Sequence, residues 1–381
     1  MNPIDITTPT PLLAGLSPER FMQRHWHKKP LLVRQALPMV KPFVTRSELF
    51  ALAAADGVES RLIVRQGRGW TLRHGPFARR ALPPLTQPKW SLLVQGMDLH
   101  LDSARTMLER FRFVPDARLD DVMVSYATDG GGVGPHFDSY DVFLIQGMGR
   151  RRWQISAQRE LDIIEGAPLR ILKRFDVEEE WVLEPGDMLY LPPSYAHNGI
   201  AEGECMTYSV GFRAPADQEL ATQFLVHLQD RVELDGRYAD PELTQPRHPG
   251  EIGKDMIEKV ARSIGRIAWN RDAVRDFVGC YMTEPKAHVY FDPPDRPLGK
   301  TAFAKKISRR GVRLDRRSQL LFSGGRFYLN GEIVDIANGD RELLRELADK
   351  RRLPPDTRFS ESAQSLIHGW YCDGFVEAGE G

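Results

Sequence analysis

Up to about residue 215, apolar residues fall in short runs separated by glycine and proline. LLVRQAL, SLLVQGM, DVMVSYA, DVFLIQG and MLYLP are the plainest of them. Short strands closed by turn residues predict an antiparallel sandwich or barrel over residues 1–215. From Asp217 the period changes. In DQELATQFLVHLQDRVE, Leu220, Phe224, Leu225 and Leu228 take helical spacing, and Asp217 is the expected N-cap. EIGKDMIEKVARSIGRIAWNRDAVRDFVGCYM then sets Ile252, Met256, Ile257, Val260, Ile264 and Ile267 on one stripe, so residues 216–285 are expected to be helical. Such a stripe is either core or a face for a second copy of the chain, and both readings stay open.

After TEPK at Thr283 the pattern resets with FDPPDRP. LLFSGGRFYLNGEIVDI predicts a hairpin with turns at Gly324-Gly325 and Asn330-Gly331. DRELLRELADKRRL reads as an amphipathic helix, and AQSLIHGWYCDGFVEA as a last helix turning into a short strand. Residues 286–381 are therefore expected to form a winged-helix-like α+β domain. No internal repeat or low-complexity tract interrupts the chain.

Composition narrows the function classes. The 52 Lys and Arg balance 52 Asp and Glu, so bulk electrostatics favour no polyanionic partner. The segment KTAFAKKISRRGVRLDRR is the local exception, with eight cations against one acid. A solvated basic face and a contact for RNA or another polyanion are both open there. MNPIDITTPTPLLAGLSPERF lacks the pattern of a secretory signal, and no apolar stretch approaches the roughly 20 residues of a membrane span. The three cysteines, Cys205, Cys280 and Cys372, fit neither a disulfide framework nor a zinc site. The expectation is a cytoplasmic protein without a membrane partner, in a reducing compartment that also keeps iron ferrous.

The candidate chemistry sits in GGGVGPHFDSYDVFLIQGMGRRRWQIS. Residues two apart on a strand share a face, so His136 and Asp138 can ligate one ion together. A His-x-Asp triplet alone is weak, since a chain like this contains roughly one by chance. Its surroundings strengthen it. GGGVGP reads as an unobtrusive approach that leaves space above the ligands for substrate. Fifty-nine residues beyond Asp138, LEPGDMLYLPPSYAHNGI runs from a tight turn through a strand to Pro192-Pro193 and delivers His197. Two imidazoles and one carboxylate on adjoining strands form the facial triad of non-haem Fe(II) oxygenases, although manganese or nickel cupins use related sets. His25, His27, His74 and His100 are expected to be ordinary histidines.

In GRRRWQIS the strand period sets Arg151 on the face of Trp153 and Ile155, which points Arg151 inward. A buried guanidinium needs an anion. 2-Oxoglutarate would chelate iron through its keto acid and place its far carboxylate on Arg151 in a bidentate pair. An exposed arginine trio covering the barrel is the alternative. Ser125 and Ser209, on strands lining the site, are further candidates to hydrogen-bond the cosubstrate. Residue chemistry alone stops at an oxygenase using Fe(II), 2-oxoglutarate and O2.

GGGVGPHFDSYDVFLIQGMGRRRWQI, LEPGDMLYLPPSYAHNGI and MTYSVGFRAP strongly resemble the bacterial JmjC-type ribosomal oxygenases, and FMQRHWHKKPLLVRQAL is similar too. These are arginine hydroxylases of the large-subunit ribosomal protein called L sixteen. The resemblance covers essentially the whole chain and is looser after Pro215. It implies a mixed fold: a double-stranded β-helix of the JmjC and cupin kind, a helical dimerisation region that makes a homodimer, and a C-terminal winged helix. It puts His136, Asp138 and His197 at the iron-ligand positions and Arg151 at the cosubstrate carboxylate. It puts Asp129 where the substrate guanidinium is held, a natural fork for arginine, although an Asp before Gly also reads as a turn residue. Two rivals stay in view: an oxygenase of the same type acting on a ribosomal histidine or a translation factor, and a non-catalytic adaptor binding RNA.

Overall fold

The computed structural model of the chain describes residues 5–67, 69–245 and 247–379. They form two compact units, one made of described residues within 5–214, 285–318 and 336–379, the other of those within 215–284 and 319–335.

The first unit opens with α1 (Pro18–Arg24), β1 (Leu31–Val33) and α2 (Arg46–Leu52). Ser17 caps α1 ahead of Pro18, and Thr45 and Glu48 form a reciprocal capping box on α2. Then come β2 (Ser60–Gln66), β3 (Gly69–His74), β4 (Trp90–Val94), α3 (Asp102–Glu109), β5 (Leu119–Ala127), β6 (Val142–Ser156), β7 (Glu179–Leu183), β8 (Met188–Leu191) and β9 (Ala196–Phe212). The nine strands make one sheet in the order β1-β8-β6-β9-β5-β4-β2-β3, with β7 also on β6.

Two long strands explain the shape. β6 and β9 pair from Val142↔Gly211 to Ser156↔Ala196, with register shifts on either side of Met148. The first half of β6 takes β8 as its other neighbour and the second half takes β7. One continuous ladder thus carries two half-sheets, which is the expected double-stranded β-helix. Along β5 the two faces separate cleanly. Val122, Val124 and Tyr126 enter the main apolar core with Phe143, Tyr190, Tyr208 and Phe212, while Asp121, Met123 and Ser125 line a cavity.

The rest of the chain runs α4 (Asp217–Gln229), α5 (Lys254–Ile264), α6 (Arg271–Thr283), α7 (Lys300–Arg310), β10 (Val312–Leu314), β11 (Leu320–Ser323), β12 (Arg326–Leu329), β13 (Glu332–Val334), α8 (Arg341–Lys350), β14 (Arg352–Leu353), α9 (Glu361–Cys372) and β15 (Val376–Ala378). The second unit holds α4 to α6 and the meander β11-β12-β13, whose turns fall at the expected Gly324-Gly325 and Asn330-Gly331. The Tyr328 ring lies so close over Gly279 of α6 that any Cβ there would meet it at 2.4 Å, and its hydroxyl donates to Asp276 (2.8 Å). The N-cap of α4 is Ala216; Asp217 is the first helical residue, where its charge still favours the helix start.

The apolar stripe of α5 is not core of this unit. The helix has no buried residue, and Met256, Ile257, Val260 and Ile264 are all exposed.

In the first unit, β10 pairs with β14 and β15, and Phe303, Ile307, Leu344, Leu347 and Ile367 are buried beside this small sheet. The basic segment divides in two. Arg313, Arg316 and Arg317 are taken up by Glu377, Asp102, Asp315 and Asp292. Lys305, Lys306, Arg309 and Arg310 are exposed on α7, with no ion pair among the described residues.

Candidate metal centre

His136 and Asp138 lie outside the named strands rather than on one, and His136 meets His197 of β9 through a single antiparallel bridge. His136 N donates to His197 O (2.9 Å) and His197 N to His136 O (2.8 Å). Asp138 is fixed by the neighbouring turn, its carbonyl accepting from Ser194 N at 2.7 Å just after Pro192-Pro193. One ligand atom from each of His136, Asp138 and His197 lies within 4.8 Å of the others.

The imidazoles are oriented for an ion. His136 Nδ1 lies 2.9 Å from Gly134 O and His197 Nδ1 2.9 Å from Tyr195 O. A carbonyl only accepts, so each Nδ1 carries the proton and each Nε2 lone pair is left free, which is how metal-binding histidines are held. Burial, with His136 adding, lowers the His197 pKa to about 4 against the pull of Asp138. His197 is therefore neutral near pH 7, and its 3.7 Å approach to Asp138 is two ligands converging rather than an ion pair. His25, His27, His74 and His100 do not join the group; His27 pairs instead with buried Asp141 (2.9 Å).

A cavity of about 430 Å³ opens on the triad and is also lined by Arg151, Ser125, Ser209 and Trp153. As the strand period requires, Arg151 points inward and is 5% exposed, whereas Arg150 and Arg152 face outward onto Glu202 and Glu180. Both terminal nitrogens of Arg151 lie 3.4 Å from Ser125 Oγ, and its Nε is buried without a partner. No carboxylate pairs with it among the described residues. The donor set fits iron, and the unpaired buried cation fits a dicarboxylate bound beside it.

The structure does not bring Asp129 to this cavity. Its carboxylate is exposed and accepts from Gly203 N at 2.8 Å, as a turn residue does. Besides the ligand Asp138, the acids that line the cavity are Asp120 and Asp121, with Tyr140 and Met123. Burial, reinforced by Asp120, pushes Asp121 up to about 7. Lys286 lies 3.0 Å from Asp120 and 4.0 Å from Asp121. Alternation in DDVMVSYA already set Asp121, Met123 and Ser125 on one face; that was the missed signal.

The glycines also differ from expectation. A Cβ on Gly132 would lie 2.3 Å from Gly199 O, and one on Gly134 would lie 2.8 Å from Ile171 and Trp70. They are small because backbone and rings pass against them, not because space is left open for substrate.

A JmjC domain model matches residues 106–220, and a ROXA-like winged helix model matches residues 266–377. The ribosomal protein uL16 3-hydroxylase of Escherichia coli is 34% identical over 374 residues, 93% of this chain and 97% of that protein. A probable ribosomal oxygenase of Haemophilus influenzae is 35% identical over 368 residues, covering 89% of this chain and 87% of its own. The X-ray structure of E. coli YcfD matches with a TM-score of 0.82 at 30% identity, over 94% of this chain and 97% of that one. A structure of YcfD, described as a ribosomal oxygenase in complex with cobalt and 2-oxoglutarate, matches with a TM-score of 0.79 at 30% identity, over 95% and 98%. Identity of this level, sustained over nearly the full length of both chains, places the protein: it belongs to the JmjC-type ribosomal oxygenases.

Proposed function

We propose that this chain is an Fe(II)- and 2-oxoglutarate-dependent oxygenase that hydroxylates an arginyl side chain of the large-subunit ribosomal protein uL16. The observation that carries the reading is Arg151, a buried guanidinium with no carboxylate on it among the described residues, facing the cavity of the triad. The E. coli relative's activity on uL16 supports the substrate.

His136, Asp138 and His197 hold the ion, and Arg151 with Ser125 takes the far carboxylate of the cosubstrate, with Ser209 a further donor. Iron with 2-oxoglutarate and O2 supplies the oxidising power, the cosubstrate leaving as succinate and carbon dioxide. The chain's own share is placement. Asp121 and Ser125 are four residues apart on β5, about 13 Å at the usual strand rise. That separation gives the cavity a cationic station at Arg151 and an acidic one at Asp121. Asp121 and Asp120 offer the substrate guanidinium an acidic station inside the cavity, with Met123 and Tyr140 beside its methylenes. Trp153, Leu144 and Ile171 wall the same space with apolar surface and keep water from it.

The wider arrangement follows. The chain works as an oxygenase barrel over residues 1–215, a helical dimerisation region over 216–285 and a winged-helix-like domain over 286–381, whose meander at residues 319–335 packs with the helices of the middle region. The exposed stripe on α5 is the face that pairs two copies into a homodimer. Lys305, Lys306, Arg309 and Arg310, exposed on α7 without an ion pair among the described residues, give a contact for ribosomal RNA. No helix among the described residues is long and apolar enough to cross a membrane, and a ribosomal substrate puts the enzyme in the cytoplasm.

The test is incubation with Fe(II), 2-oxoglutarate and air, using unmodified large-subunit ribosomal proteins as the pool and His136→Ala as control. Mass spectrometry should find one added oxygen on an arginine-containing uL16 peptide, absent with the variant. Succinate without that mass change would keep the oxygenase and discard the substrate.

A further inference from the structure

Residues 157–178, between β6 and β7, form a connection much longer than an ordinary strand-to-strand loop, and ordered connections of that length are mostly functional. This one is held along its length. Ile163 and Leu172 form an antiparallel bridge, Ile164 N donates to Ile171 O (2.8 Å), and Lys173 N donates to Asp162 O (2.8 Å). Leu172 N donates to Pro135 O at 2.9 Å, which ties the connection to the residue before His136. The result is a two-armed turn over the metal centre.

The two arms face different surroundings. The returning arm, Pro168 to Ile171, lines the cavity. The outgoing arm presents Ile163 and Ile164 to solvent, 36% and 41% exposed. Around them stand Glu160, Asp162 and Glu165, all exposed and none in an ion pair among the described residues. The tip ELDIIEG thus holds three acids and no cation of its own, with Arg159 just before it and Lys173 across the ladder from Asp162. Adjacent apolar side chains on a fixed backbone gain from being covered. Unpaired carboxylates beside them select a cationic cover and repel a phosphate backbone.

We propose that the Glu160–Glu165 tip is a docking surface for the polypeptide that flanks the target arginine, and that this flanking segment is basic. The inference rests on reading the chain as a protein-arginine oxygenase. A chain entering the cavity along the Pro168–Ile171 arm runs onto the tip bonded to it.

Two variants test this, Glu160→Lys/Asp162→Lys/Glu165→Lys and Ile163→Ser/Ile164→Ser. The measurements are binding of unmodified uL16 by fluorescence anisotropy over a salt series, and hydroxylation of uL16 and of the minimal probe acetyl-Gly-Arg-Gly-amide. The charge reversal should weaken uL16 binding about tenfold or more at low salt and flatten its salt dependence. The isoleucine pair should weaken it several-fold with the salt dependence intact. In both, the KM for 2-oxoglutarate and turnover of the minimal probe stay as in the parent protein. Unchanged uL16 binding in both variants overturns the proposal, and so does equal loss on the minimal probe. Dissociation of a homodimer by the reversal, with uL16 binding retained, would assign the tip to a second copy instead. If uL16 binds in a tip-dependent manner but gains no oxygen, the docking surface stands and the catalytic reading fails.

Discussion

Ser125 Oγ sits 3.4 Å from both terminal nitrogens of Arg151, and that hydroxyl is the one side-chain hydrogen-bond partner found for this buried guanidinium among the described residues. A neutral hydroxyl leaves most of the fork free for an anion. Hydrogen bonds to charged groups contribute about 1.5–3 kcal/mol, so Arg151→Ala should raise the KM for 2-oxoglutarate by about 10- to 150-fold. Arg151→Lys should recover part of the loss, since it keeps the charge and loses the bidentate geometry. The maximal rate at saturating cosubstrate should change little in both. Succinate formation across a 2-oxoglutarate titration reads this, and an unchanged KM in Arg151→Ala would remove the assignment.

Metal binding should be visible without turnover. The three ligands come from two segments that meet only in the folded chain, so an ion stabilises the folded state by mass action. At a hundred times its Kd the gain is about 2.7 kcal/mol. Thermal unfolding should shift upward with Mn(II) in the parent protein and stay flat in His136→Ala and His197→Ala. Equal shifts in all three would mean the ion binds elsewhere.

The close approach at Gly132 gives a third prediction. A Cβ there would lie 2.3 Å from Gly199 O, a backbone atom two residues after His197. The backbone must move, so Gly132→Ala should destabilise by about 1–3 kcal/mol. Because the displaced segment carries the His136–His197 bridge, Mn(II) affinity should fall as well. Denaturant midpoints and metal titration measure the two effects, and a variant equal to the parent in both would show that the clash is relieved elsewhere.

These cases mark what could be read from the chain alone. Arg151 was legible because period-two alternation is local: Trp153 and Ile155 fix the face, and the outward neighbours Arg150 and Arg152 follow. His197 was legible because a strand and a Pro-Pro turn deliver it. The glycines were misread because what they avoid, Gly199 O and the Trp70 ring, lies more than sixty residues away in either direction. Asp121 lay within reach of the same local period, which sets it on the face of Met123 and Ser125, but its electrostatic setting did not. Its charged surroundings include Lys286, which the sequence places in another region entirely. Local period survives in a sequence, whereas contacts between distant segments do not.

Acid should destabilise the metal-free protein through His197. An unfolded histidine takes up its proton near pH 6.5, whereas buried His197 resists until about pH 4. Between these values the unfolded chain binds more protons, so stability rises with pH across the window and is lost as pH falls through it. The penalty is absent above about pH 6.5, where His197 is neutral in both states, and reaches about 3 kcal/mol below pH 4. Chelator-treated parent protein should therefore lose stability from pH 7 to 4 more steeply than His197→Gln. Parallel curves would show that His197 is more open to water than its burial implies.

Asp121 should impose a pH dependence of its own on substrate binding, with the opposite ionic origin. Burial raises its pKa to about 7, so below that the carboxyl is largely protonated, and above it ionised. A guanidinium pairs with the carboxylate and gains little from the neutral acid. For a group titrating near 7 the ionised fraction rises about tenfold from pH 6 to pH 8. The KM for an arginine peptide should fall by up to about that factor over the interval, while the KM for 2-oxoglutarate, set by Arg151, should not follow it. Asp121→Asn keeps the shape and removes the charge, so it should raise the peptide KM at pH 8 and abolish its slope. Should Asp121→Asn keep the parent's pH profile, the guanidinium is held by another group, and Asp120, bonded to Lys286 at 3.0 Å, becomes the residue to substitute next.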